Sequence, residues 1–76
     1  MKRLLETLAQ GLCEQKARVR VNASEAGDEL RLELGVAPAD RGRVIGKNGR
    51  SADALRSLLQ AVGRERGLRV VLEILK

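Results

Sequence analysis

Between Val44 and Arg50 the chain reads Val-Ile-Gly-Lys-Asn-Gly-Arg: two glycines spaced G-x-x-G, a polar pair between them, apolar residues ahead and cations on both sides. Two glycines this close let the backbone turn sharply and let another chain come near it, because no Cβ intervenes. If one helix ends before Gly46 and another starts after Gly49, the second presents free backbone N–H groups and a positive dipole end to whatever lies over the loop. The chemistry open to such a loop is anion binding. A nucleotide-hydrolysing P-loop needs G-x-x-x-x-G-K-[ST], whereas here only three residues separate Gly42 from Gly46 and Lys47 precedes Asn48, which has no hydroxyl for Mg²⁺. A dinucleotide fingerprint would need glycine at position 44, which is Val44. With no His and a single Cys13, neither a nucleophile constellation, an internal disulfide nor a conventional zinc site can be built. Cys13 reads as a small apolar residue near a helix end. The expectation is a non-catalytic chain without metal or cofactor.

Charge placement sharpens the anion reading. The chain of 76 residues carries a net charge of +5. Residues 41 to 50 hold Arg41, Arg43, Lys47 and Arg50 without an acid, while residues 23 to 33 hold Glu25, Asp28, Glu29 and Glu33 against Arg31 alone. Positive charge focused around an anion-accepting turn is the footprint of a polyanion partner. The remaining cations, Lys2, Arg3, Arg64, Arg66 and Lys76, read as solvated surface. The absence of Phe, Tyr and Trp rules out base stacking on aromatic platforms. The apolar run Leu4, Leu5, Leu8 is broken by Glu6 and Gln10 and is too short for a signal or membrane segment, so a cytoplasmic protein is expected.

The elements that must position the loop follow from periodicity. Leu4, Leu5, Leu8, Ala9 and Leu12 fall at helical spacing, predicting an amphipathic helix through about residue 13. From Lys16 strict alternation sets Ala17, Val19 and Val21 on one side and Lys16, Arg18 and Arg20 on the other, predicting a half-buried strand. Residues 22 to 28 read as a connecting loop. Alternation resumes with Leu30, Leu32, Leu34 and Val36 inside, predicting a second strand antiparallel to the first. Pro38 suits the first position of a short helix running to Val44, with Asp40 in the first turn where the dipole favours an acid. Ala52, Leu55, Leu58, Leu59 and Val62 form one face of a third helix, and Leu68, Val70, Leu72 and Ile74 one face of a closing strand. The prediction is a single α+β domain of order α-β-β-α-α-β, three helices on one face of a three-stranded sheet.

An Ile-Gly-x-x-Gly loop between two helices, with helix-strand-strand ahead and a strand behind, resembles a type II K-homology (KH) domain of the small bacterial kind over essentially residues 1–76. The resemblance implies binding of single-stranded RNA, a grip on about four nucleotides through the loop, and no catalysis. It also implies pairing, either with a second copy or with a larger KH-containing protein, in post-transcriptional regulation linked to cell-envelope growth.

Carried over by position, Gly46 and Gly49 shape the loop, and Lys47 and Asn48 meet sugar and phosphate. Arg50 completes the anion site, and Arg41 and Arg43 stand nearby as steering charges, open equally to a solvated-surface reading. Ile45, Ala52 and Leu55 form an apolar groove floor, with Ile45 and Leu55 equally readable as core. Many KH domains carry a large aliphatic residue where this chain has Ala52, so a shallower floor and weaker base selection are expected. A single strand of RNA or of DNA fits such a clamp, and a 2′-OH contact is what separates them. The competing expectation is a dimerisation or docking module of KH fold in which RNA contact is weak or indirect. One KH domain reaches few nucleotides, so paired domains raise avidity by ~10²-fold or more under either reading.

Overall fold

Helix α1 spans Lys2–Leu12, strand β1 Arg20–Ala26, strand β2 Glu29–Gly35, helix α2 Arg41–Ile45, helix α3 Arg50–Glu65 and strand β3 Arg69–Ile74. The protein is seen in a computed structural model whose described residues are 1–75. Single 3₁₀ turns at Lys16–Arg18, Pro38–Asp40 and Lys47–Gly49 join the main elements. The order matches the expected α-β-β-α-α-β, and the short helix predicted over Pro38 to Val44 divides into the Pro38 turn and α2.

The sheet order is β1-β2-β3. Strands β1 and β2 pair antiparallel through the two-residue turn Gly27-Asp28, with Val21 opposite Leu34 and Ala26 opposite Glu29. Strands β2 and β3 pair parallel, with Leu30 opposite Val70 and Leu32 opposite Leu72. A parallel neighbour needs a crossover, and α2 and α3 supply it. Leu30, Leu32 and Leu34 are buried beneath the helices with Leu5 and Ala9 of α1, Val44 of α2, and Leu55 and Leu59 of α3. Gly63 lets α3 lie close on β3, since a Cβ there would sit 2.5 Å from Val70 Cγ2 and 2.9 Å from the Leu68 carbonyl. On the opposite sheet face Glu33 and Glu73 are register partners of like charge, and Arg31 ion-pairs with both.

Three expectations need correction. Lys16 to Arg18 is a turn rather than the start of the first strand, and Ala17 is exposed. The reason is local hydrogen bonding: Lys16 Nζ donates to the carbonyls of Gln10 at 2.6 Å and Cys13 at 2.9 Å, satisfying orphan groups at the end of α1. The segment folds back before it can extend.

Conversely, residues 22 to 26, expected as loop, continue β1. Their polarity misleads because the helical layer covers β2 and β3 at this end of the sheet but leaves this end of β1 bare. Ala23 and Glu25 share a face with buried Val21 yet are exposed, and pairing with β2 alone makes them strand. Finally, Leu58, assigned to the buried stripe of α3, is 44% exposed; Ala52, Leu55, Leu59 and Gly63 make that stripe. With one helix turn covering 3.6 residues, Leu58 is rotated off the face that Leu59 centres.

Candidate nucleic-acid interface

The G-x-x-G stretch forms the junction of α2 and α3. Gly46 closes α2 by donating its N–H to the Gly42 carbonyl at 2.8 Å, then leaves the helix with φ 76° and ψ 174°. Asn48 has φ 57° and Gly49 φ 75°, and the Gly49 N–H turns back on the Gly46 carbonyl at 3.2 Å. The backbone thus reverses within four residues, and the 16-residue α3 starts at Arg50. A Cβ on Gly46 would lie 2.4 Å from Ser51 Oγ and 2.9 Å from Ser51 N, so the loop rests directly on the first turn of α3. No side chain caps that end of α3. Its dipole is open to an anion over the loop.

The predicted site residues fall into three groups. Lys47, Asn48 and Arg50 are exposed around the half-buried glycines, and Ile45 is 40% exposed beside them. Ala52 and Leu55, each 7% exposed, are core residues; Leu55 opens instead toward α1. Arg41 is half-buried, and its Nε has no hydrogen-bond partner. Arg43 is exposed but committed: it ion-pairs with Glu14 and lies 3.7 Å from Asp40 Oδ1. Among the described residues Arg41, Lys47 and Arg50 take no part in an ion pair, whereas Arg31, Arg43, Arg56 and Arg69 do. Of the four cations between residues 41 and 50, three are thus left without an acidic partner beside the glycines.

Sequence reasoning placed Asp40 on the helix dipole and missed its main role. It is the buried charged residue of the domain, 1% exposed, and its two oxygens accept the backbone N–H groups of Glu14 at 3.1 Å and Gln15 at 3.0 Å. Those donors, of Gln15 first and then Glu14, hold the carboxyl below its ordinary value of 3.8, aided by the charges of Arg43 and Lys16 and opposed by burial. The one local signal was an acid isolated at the head of a basic stretch. Because the folded-state value is depressed, Asp40 stabilises the fold fully above about pH 4 and loses that contribution as pH falls through the depressed value. Acid titration followed by circular dichroism should show Asp40→Asn less stable than wild type at pH 7, the difference shrinking as the medium is acidified below pH 4. The neighbouring Cys13 thiol is pushed up by burial first and by Asp40 second, which keeps it protonated and unreactive.

Two concave surfaces lie along α3, one at the loop end and one at the far end. An apolar groove of about 290 Å³ runs between α1 and α3, lined by Leu8, Leu12, Ser51, Ala54, Leu55 and Leu58. A more polar one of about 370 Å³ lies between the end of α3 and β3, where Gln60, Arg64 and Arg69 surround Leu68, Val70 and Val71. Neither is visible in the sequence, because each joins segments that only the packed helices bring together. Among the described residues no group of acids, cysteine or histidine could hold a metal ion, and no helix is long and apolar enough to cross a membrane.

Comparison with known proteins agrees with this architecture over nearly the whole chain. A family model described as KhpA/KhpB, KH domain, matches residues 2–74. The chain is 49% identical over 76 residues to the RNA-binding protein KhpA of Aquifex aeolicus, covering all of this chain and 96% of that one. It is 44% identical over 75 residues to the RNA-binding protein KhpA of Clostridium acetobutylicum, covering 99% of this chain and all of its relative. The KhpA of Halalkalibacterium halodurans is likewise 44% identical, with 99% of each chain aligned. These relatives are named for binding and not for a reaction. With the order of elements, the mixed sheet and the glycine junction all in place, the chain belongs to the KhpA/KhpB family of KH-domain proteins.

Proposed function

We propose that this is a cytoplasmic, non-catalytic protein that binds single-stranded RNA through the Gly46-Lys47-Asn48-Gly49 loop. The observation that carries the reading is the coincidence, at one junction, of an uncapped helix start and unpaired Lys47 and Arg50. Backbone N–H groups and two exposed cations suit the phosphates of an extended strand, whereas a rigid duplex offers its phosphates on a broad convex surface. Ile45, exposed beside the loop, supplies apolar area for a base, while the burial of Ala52 and Leu55 leaves little else for bases to rest on. Affinity then comes mainly from the backbone and selection among sequences is modest. The names of the relatives support RNA as the strand.

Fluorescence-anisotropy titration of a labelled single-stranded RNA at two salt concentrations tests this. A dissociation constant of roughly 10⁻⁴ to 10⁻⁶ M at physiological salt is expected, weakening as salt rises with a slope of about 0.7 per phosphate neutralised. Absence of salt-dependent binding would overturn the reading.

The groove between α1 and α3 favours a second component: association with another KH domain, in the first instance a second copy of this chain. Leu58, 44% exposed, and Leu12, 36% exposed, line it, so two copies facing each other would remove large aliphatic side chains from water. Paired loops would grip a longer strand, in keeping with a role in post-transcriptional regulation. Light scattering should report a dimer for the wild type and a monomer for Leu58→Glu. Equal masses for the two would remove this component.

A further inference from the structure

Arg43 stands four residues before Lys47 and was expected to share its work on the polyanion, yet the structure engages it inward. Its guanidinium pairs with Glu14, just beyond the end of α1, and its Nε lies 3.7 Å from Oδ1 of the buried Asp40. Asp40 in turn accepts the N–H groups of Glu14 and Gln15, so one cluster fastens the α1–β1 connection to the start of α2. Helix α2 is only five residues long and ends by donating the Gly46 N–H to the Gly42 carbonyl. A helix that short has too few internal hydrogen bonds to hold itself in place. Whatever anchors residues 40 to 43 therefore sets where Gly46 leaves α2, and hence how the loop is presented.

We propose that Asp40, with Arg43 and Glu14 as its outer pair, is a positioning cluster for the glycine loop, and that Arg43 acts on RNA through this cluster and not by touching phosphate. The inference rests on the loop reading above. It also inverts an electrostatic expectation. Glu14 and Asp40 are acids close to an anion-binding site, so on charge alone neutralising either should tighten RNA binding. As members of a positioning cluster their neutralisation weakens it.

The test is the salt dependence of single-stranded RNA binding for Lys47→Ala, Arg43→Gln, Glu14→Gln and the Arg43→Gln/Glu14→Gln double variant, each shown folded by circular dichroism. Asp40→Asn is added where it folds; the other two sites are exposed side chains whose replacement leaves the core untouched. Lys47→Ala should weaken binding and lower the salt slope by about one phosphate's worth. Arg43→Gln and Glu14→Gln should each weaken binding roughly two- to fivefold at unchanged slope, the scale of an exposed pair. The double variant should be no weaker than either single one, because the two act as a unit. Tighter binding by Glu14→Gln, or a slope lost in Arg43→Gln, overturns the positioning role while leaving the loop reading standing. An unaltered affinity and slope for Lys47→Ala overturns the loop reading and the cluster's role with it.

Discussion

Replacing Lys47 and Asn48 together with aspartate is expected to abolish RNA binding in a protein that remains folded. Both side chains are exposed, and among the described residues neither makes a side-chain hydrogen bond or ion pair, so their loss costs the fold little. What changes is the field over the loop. A cation and an amide donor become two anions directly above the open end of α3, and the carboxylates can occupy the helix N–H groups that phosphate would otherwise meet. Each charge-assisted hydrogen bond lost is worth ~1.5–3 kcal/mol, or roughly 10- to 150-fold in affinity, before repulsion is added. Anisotropy titration with circular dichroism as the folding control reads this directly. Wild-type affinity in the folded double variant would show that the loop is not the clamp, and the α1–α3 groove would then become the leading functional surface.

The largest stability effect is expected at Gly46. Its φ of 76° with ψ of 174° lies in a region that is essentially glycine's alone, and forcing another residue there costs ~1–3 kcal/mol. Space is short as well: an added methyl would come within 2.9 Å of Ser51 N, a backbone atom that cannot step aside as the Ser51 hydroxyl can. Overpacking of this kind adds ~1–3 kcal/mol. Gly46→Ala should therefore lose about 3 kcal/mol, a large share of the stability available to a domain this small. At 4–8 °C per kcal/mol the melting temperature should fall by roughly 12–24 °C. Gly49→Ala is the control, since it shares a positive φ of 75° but its Cβ would meet nothing within 4 Å. A smaller loss there, near 1 kcal/mol, is expected, because its ψ of 12° puts it in the milder left-handed helical region and no atom crowds it. Equal losses at the two positions would mean that the contact with Ser51 carries no weight.

Much of this was legible in the chain because it is written in near neighbours. The G-x-x-G spacing, the apolar stripe at Ala52, Leu55 and Leu59, and the alternation at Leu30, Leu32 and Leu34 depend on residues within a few positions of one another. A helix or strand shows its buried face at its own period, so such patterns can be read before folding. Strand β1 was misread for the complementary reason. At 22 to 26 no face is covered by the helices, alternation has nothing to record, and only hydrogen bonding to β2 makes these residues a strand.

What tertiary structure alone decided lies between segments far apart in the chain. The parallel seating of β3 on β2 requires the α2–α3 crossover to be in place. The exposure of Leu58 depends on how α3 is turned on the sheet, with Leu59 at the centre of its buried face. The division of the basic stretch into free Lys47 and Arg50 and an engaged Arg43 depends on Glu14, 29 residues away, and the burial of Asp40 on N–H groups 25 and 26 residues away. Sequence determined that a glycine junction with cations around it would form between two helices, since turn geometry and helical period are local properties of the backbone. Which of those cations are left for a partner was a tertiary outcome, because a charge is free or neutralised only according to what the folded chain sets beside it.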